Sequence, residues 1–209
     1  MHQFAIRVPG LLVTLWLVSI TAAPAYGDFK DSIKTYKSVQ LDPSLIVKIE
    51  QYDHLIKYFC GFAYHKKNNV VNRNFVKALI IAESSVDPGA VSVDNARGLG
   101  QIVHETGKAA ARVLYNTGVN FKYIEESKLQ DLSLDSLHDP AINILLTVYL
   151  ISRYNYRFNG KIELVVTAWN AGENNTSLNR GRVPGYSETE DLIGKVNGYF
   201  LYLNKMTPQ

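Results

Sequence analysis

A chain of 209 residues, 46% hydrophobic and 20% charged, has the size and make-up of one compact domain with some extra length at an end. That composition excludes a disordered, collagen-like or low-complexity protein, and a net charge of +3 is too small to argue for nucleic acid as a partner. The single cysteine, Cys60, excludes an internal disulfide and a thiolate-built metal cluster, and no HExxH-type spacing points to a metal.

Residues 1–27 read as an address. Met1 to Arg7 carry one Arg, one His and no acid; an apolar run from Leu11 to Ile20 follows, then the small residues Ala22, Ala23, Ala25 and Gly27. This is the pattern of a secretory signal peptide, and cleavage after Ala25 or after Gly27 satisfies it. The run is shorter than the ~20 apolar residues of a membrane span. No cysteine follows it for lipid attachment. The expected mature protein is therefore periplasmic or secreted, with no stable membrane span after cleavage.

Residues 28–41 are polar and weakly patterned, which predicts a loose lead-in, and residues 42–209 form the main domain. Asp42-Pro43 starts a helix, with Asp as N-cap and Pro at the first helical position. Leu45, Ile49, Tyr52, Ile56 and Phe59 continue it at helical spacing as far as Gly61. Asn72 caps the next helix, whose stretch from Phe75 to Ala82 is apolar except for Lys77, so it is buried on most sides. It stops at Glu83-Ser84-Ser85, ahead of the turn residues Asp87-Pro88-Gly89. The segment from Ser92 to Gln101 shows neither a helical nor a strand period. Short helices are predicted from Glu105 to Leu114, from Asp139-Pro140 to about Tyr156, and from Lys161 to Trp169. A polar loop follows, and Glu188 opens a last helix through Leu203. Alternating strand patterns are nearly absent, so the class is mainly α.

Glu83 is the residue out of place. A carboxylate at the carboxyl end of a buried helix faces the negative end of the helix dipole, and desolvation disfavours its charge as well, so its pKa is expected to be raised. A carboxylic acid still protonated near neutrality can protonate a leaving oxygen, as in glycoside cleavage. The bland alternative is a surface Glu at a frayed helix end, paired with a lysine, and burial alone does not separate the two.

The neighbours of Glu83 do. Ala82-Glu83-Ser84, Asp87-Pro88-Gly89-Ala90-Val91-Ser92 and Ala96-Arg97-Gly98-Leu99-Gly100-Gln101-Ile102 resemble the first motifs of soluble lytic transglycosylase (SLT) domains, lysozyme-like enzymes that cut the glycan strands of peptidoglycan. Asp139-Pro140 with Asn143-Ile144 and Tyr149-Leu150 is similar to the family's third motif, Ala168-Trp169-Asn170-Ala171-Gly172 to its Ala-Tyr-Asn-Ala-Gly element, and Val183-Pro184-Gly185-Tyr186-Ser187-Glu188-Thr189 to its closing Pro-x-Tyr-x-Glu-Thr. Five motifs in family order span roughly Tyr52 to Leu203. The resemblance implies a mainly α, lysozyme-like single domain of the goose-type lysozyme/SLT kind, and it implies no metal and no organic cofactor.

By position, the resemblance implies Glu83 as the sole catalytic acid and base. Ser92 falls on a serine that hydrogen-bonds near that Glu, Gln101 on a sugar-binding groove residue, and Asn170 on an asparagine beside the glycan. Trp169 replaces the usual Tyr but keeps a stacking face, and Tyr186 and Glu188 fall on the motif that lines the groove. Gly98 is expected to permit a tight turn under Leu99 and Gln101. Three departures stand out: Gly100 where relatives have Met, Val103 where Met is frequent, and Leu192 where relatives carry a tyrosine three residues after Glu-Thr. The bland roles stay open beside these: Ser92 capping a turn, Asn170 capping a helix end, Gly172 stopping a helix.

The implied reaction is cleavage of the β-1,4 bond between N-acetylmuramic acid and N-acetylglucosamine, ending in a 1,6-anhydro sugar. Two alternatives stand beside it. One is a true muramidase hydrolase with Asp87 or Asp94 assisting, though Asp before Pro favours a turn former at Asp87. The other is a non-catalytic glycan-binding or scaffold protein. The expected partner is the peptidoglycan glycan strand, and an exported enzyme of this kind would suit wall opening for secretion, conjugation or pilus machinery. His54, His65, His104 and His138 have no ligand spacing, and Asn174-Asn175-Thr176 reads as a polar loop.

Overall fold

The computed structural model describes residues 29–67 and 69–206; the expected signal segment, 1–27, lies outside the described residues. Helices in chain order are α1 (Phe29–Tyr36), α2 (Pro43–Glu50), α3 (Asp53–Cys60), α4 (Arg73–Ser84), α5 (His104–Asn116), α6 (Glu126–Gln130), α7 (Pro140–Arg157), α8 (Ile162–Ala171), α9 (Thr176–Asn179) and α10 (Ser187–Met206), with one 3-10 turn at Asp135–His138. Among the described residues extended pairing is confined to two isolated bridges, Val91 with Arg97 and Arg97 with Ile102. The mainly α expectation holds.

Side-chain caps place the main helix starts. Asp42 accepts from Ser44 N–H at 2.8 Å, Asn72 from Asn74 N–H at 2.9 Å, and Asp139 from Ala141 N–H at 2.9 Å. Each satisfies a backbone donor that has no partner inside its helix.

α7 is the axis of the fold. Twelve of its 18 residues are buried, from Ile142 to Tyr154, so it is apolar nearly all round as a central helix must be. α3, α4, α5 and α8 pack on it, and α10 lies across α1, α4 and α8. The one charge in the apolar stretch of α4, Lys77, is 14% exposed and pairs with Asp53 of α3 at 2.6 Å. That ion pair accounts for a lysine in a buried stretch.

Three expectations need correction. The stretch read as one helix from Asp42 to Gly61 is two, broken at Gln51-Tyr52, because Tyr52 leaves helical geometry with ψ at 3°. The loop from Glu173 to Arg182 holds the short α9, capped by the Asn175 side chain on Ser177 N–H at 2.9 Å. The loose lead-in at 28–41 instead carries α1. Gly194 and Gly198 of α10 have no side chains, and a Cβ there would stand 2.7 Å from Ser32 O and 2.5 Å from Tyr36 O. Phe29 and Ile33, four residues apart on α1, pack against the core, and the glycines of α10 let the two backbones approach. Two apolar residues in a short polar stretch are a weak period, and the glycine seats leave no hydropathy signal at all.

Candidate active site

α4 ends where the chemistry begins. Ser85 closes the helix in the left-handed conformation at φ 52°, and the buried Val86 follows at φ 64°. A β-branched residue there is a strained one. Glu83 is the penultimate residue of α4 and projects into a cleft of about 350 Å³. Its walls come from α4 (Ala82, Glu83), the 92–103 segment (Ser92, Asp94, Gln101), α8 (Trp169, Asn170) and α10 (Glu188, Asp191, Lys195). A second depression of about 360 Å³ shares Gln101, Val103 and Trp169 with it and runs on past Tyr154, Gly172 and Asn174. The two adjoin along these shared residues.

Burial raises the Glu83 carboxyl from 4.5 to about 7, and the Glu188 charge adds to the rise. The Trp169 indole N–H, by hydrogen bonding, and Lys195, by its charge, work in the opposite direction. The direction matches the expectation from burial; Glu188 as a contributor was not legible from spacing, since it lies a hundred residues downstream. An acid in this state is protonated about half the time near neutrality, as a group that must both give and take a proton requires.

The 91–102 segment that faces Glu83 is held by backbone pairs and by side chains, Asn143 foremost. Ser92 N–H bonds Ala96 O at 2.9 Å and Arg97 N–H bonds Ile102 O at 3.0 Å. Asn143 of α7, with no exposed surface, donates from Nδ2 to Arg97 O at 2.9 Å and to Leu137 O at 2.8 Å, and accepts from Gly100 N–H at 2.8 Å. Sequence reasoning placed Asn143 in a motif and assigned it no task. A buried amide with both ends used is a positioning residue, and a polar residue inside an otherwise apolar helix was the available signal. Ser84 adds a second tie, donating to Leu99 O at 2.8 Å. His138 adds a third: Nδ1 meets Pro88 O at 2.9 Å and Nε2 meets Arg97 Nη1 at 3.2 Å.

Gly98 sits at φ +74°, and a Cβ there would lie 2.2 Å from Leu137 O. The expected tight turn is present, and no other residue fits it. At Gly100 a Cβ would lie 2.3 Å from Thr147 Oγ1, so in this chain Thr147 fills the space a larger residue at 100 would need.

Of the residues singled out in the sequence, Glu83, Ser92, Gln101, Trp169, Asn170 and Glu188 line one cleft, and Tyr186 is not among the lining residues. Tyr186 stands just before α10 with 56% of its surface exposed. Ser92 Oγ accepts from Ala96 N–H at 3.0 Å, the turn-capping role, while the residue also borders the cleft. Gln101, at φ 51°, donates from Nε2 to Gly98 O at 2.9 Å and to Ala90 O at 3.3 Å, so its donor end holds the loop. Asn170 donates to Glu188 Oε1 at 3.2 Å and accepts from Thr189 Oγ1 at 2.5 Å, joining α8 to the start of α10. Asp87 accepts from Gly89 N–H at 2.8 Å and lines a separate hollow with Lys48 and Tyr52. Among the described residues no group of three or more His, Cys, Asp or Glu is placed to hold a metal ion.

The sequence profile of the Transglycosylase SLT domain family matches residues 60–191. The chain belongs to that family. The Haemophilus influenzae putative soluble lytic murein transglycosylase is 26% identical over 133 residues, 64% of this chain and 20% of the relative. The Escherichia coli K12 membrane-bound lytic murein transglycosylase D is 28% identical over 142 residues, 66% of this chain and 26% of the relative. This SLT-family chain thus spans about a quarter or less of the length of the curated relatives it matches.

The fold is that of solved SLT structures. The 70 kDa soluble lytic transglycosylase of Escherichia coli superposes with a TM-score of 0.58 at 19% identity, over 87% of this chain and 29% of that one. Its complex with bulgecin A gives 0.57. An inactive glutamate-to-glutamine mutant of lytic transglycosylase Slt from Pseudomonas aeruginosa gives 0.50 at 20% identity, over 78% of this chain and 24% of that one. Among the described residues no helix is long and apolar enough to cross a membrane.

Proposed function

We propose that this SLT-family protein is a peptidoglycan lytic transglycosylase in which Glu83 serves as both acid and base. The observation that carries the reading is a carboxyl raised to about 7 among the residues lining a cleft of about 350 Å³. Membership of the family and relatives named as lytic murein transglycosylases support the substrate class, and the inactivity of a glutamate-to-glutamine mutant of the same fold supports the need for one acid.

In this reading protonated Glu83 gives its proton to the glycosidic oxygen between N-acetylmuramic acid and N-acetylglucosamine as that bond breaks. The cationic sugar centre is stabilised by its own N-acetyl group and by groove dipoles. Glu83, now a carboxylate, takes the proton of the sugar's 6-hydroxyl, and the oxygen closes on the anomeric carbon. The 1,6-anhydro end forms with no water consumed. The Trp169 ring offers the sugar a stacking face. Gln101 and Asn170 line the same cleft, and burial, with the Glu188 charge adding to it, favours protonated Glu83. An exported location, periplasmic or secreted, rests on the amino-terminal sequence pattern.

Hydrolysis is the second reading, and one observation favours considering it: Asp94 lines the same cleft as Glu83, whereas Asp87 does not. An inverting hydrolase would use Asp94 to activate water. The test is mass spectrometry of peptidoglycan digested by the purified protein and by E83Q. Products one water lighter than reducing-end fragments, absent with E83Q, are the expected result. Reducing-end fragments would replace the transglycosylase with the hydrolase, and sugar binding without any product, unchanged in E83Q, would make the protein a glycan binder.

A further inference from the structure

The α10 face of the cleft carries a chain of contacts that takes no part in the proposed proton transfers beyond the Lys195 charge acting on Glu83. Tyr36, the last residue of α1, donates its hydroxyl hydrogen to Asp191 Oδ1 at 2.6 Å. The other oxygen of Asp191 takes the Lys195 ammonium at 2.7 Å. Asp191 and Lys195 both line the cleft that holds Glu83. Tyr36 is set in place by the glycine seats of α10, where a Cβ on Gly198 would stand 2.9 Å from the Tyr36 Cβ. Tyr36 and Lys195 both lie outside residues 60–191, so family membership does not imply this arrangement.

Charge decides what Lys195 can do. Glu83, Asp94, Glu188 and Asp191 line the cleft, and among the described residues Lys195 is the one cation that lines it. Among these carboxyls Lys195 is where an anionic group on a strand meets a positive charge. Burial pushes the Asp191 carboxyl up, but hydrogen bonds from Lys195 and Tyr36 outweigh it and hold Asp191 below the ordinary range. Asp191 is therefore a fixed anchor for Lys195. One ammonium donor goes to that anchor, and with 35% of the side chain exposed the remaining donors are open to a ligand.

The geometry points to Lys195 as a specificity-determining cation that receives a carboxylate of the glycan's substituent, held by Asp191 and, through it, by the positioning residue Tyr36 of α1. The inference rests on the proposed peptidoglycan reading of the same cleft. In such a strand the carboxylate belongs either to the lactyl group of the muramic sugar or to a peptide stem attached to it.

The test measures KM and kcat of the purified protein on stem-bearing and stem-free glycan strands, each as the free acid and as its methyl ester. The unmodified protein is expected to prefer the free acid. K195M should reduce that preference roughly 3- to 10-fold, mainly through KM, as one partly exposed charge-assisted hydrogen bond would. K195R should restore it, and Y36F should weaken it less than K195M does. Preference on stem-free strands assigns the lactyl carboxylate, and preference on stem-bearing strands alone assigns the stem. Equal losses by K195M on acid and ester, with cleavage otherwise intact, would overturn the inference and leave Lys195 as a structural partner of Asp191. A preference for the ester in the unmodified protein would overturn it too. No cleavage of any strand by the unmodified protein would instead fell the peptidoglycan reading, and this inference with it.

Discussion

E83Q should stabilise this protein above neutral pH and leave its stability in acid almost unaltered. Burial and then the Glu188 charge raise the Glu83 carboxyl from 4.5 to about 7. Such a group is held protonated by folding. Its contribution is undiminished below about pH 4.5, is lost as pH climbs from there to about 7, and stays lost above. At about 1.36 kcal/mol per pH unit, the cost at pH 8 is about 3 kcal/mol. Glutamine keeps the shape and cannot ionise, so E83Q should recover most of that, a rise in Tm of roughly 6–12 °C for a domain of this size. The assay is urea unfolding of both proteins at pH 4 and pH 8, with the difference between them growing toward pH 8. An unchanged difference at the two pH values, or a less stable E83Q at pH 8, would mean that the carboxylate is comfortably charged in the fold. The proposed acid role would then lose its physical basis.

The same protonation governs the rate, and kcat/KM on glycan strands should fall as pH rises through about 7, read from a pH profile. N143A removes three hydrogen bonds, two of them buried, and takes the Asn143 partner from Gly100 N–H and Leu137 O, while Arg97 O keeps Ile102 N–H; a loss of about 3 kcal/mol in urea unfolding, with much reduced cleavage, is expected. T147V replaces a buried hydroxyl that has no hydrogen-bond partner among the described residues, so unfolding should show stability unchanged or raised by about 1 kcal/mol. D87N keeps the turn-capping oxygen and Asp87 does not line the Glu83 cleft, so glycan cleavage should persist; its loss would return Asp87 to the reaction.

Local chemistry was legible because it is written in short spans. Asp42-Pro43, Asn72 and Asp139-Pro140 announce helix starts by satisfying backbone donors two residues on, and the structure places their side chains there. Asp87 before proline announces a turn, which its side chain closes. The break at Gln51-Tyr52 was illegible because the apolar period runs through it unchanged. α9 was illegible because four residues are too few to show a period.

What the sequence alone determined was a mainly helical chain with an acid at the end of a buried helix, and motifs that name the family. Those follow from periodicity, capping residues and the cost of burying a charge, all of which act over a few neighbours. Tertiary structure alone decided how far the Glu83 proton affinity moves, because its burial is completed, and Glu188, Trp169 and Lys195 reach it, only after α10 folds against α4 and α8. It also decided that Asn143 secures the loop facing Glu83, and that α1 belongs to the site through Tyr36. Electrostatic and hydrogen-bond partners are chosen by distance in space, and a residue 155 positions away along the chain can stand at 2.6 Å.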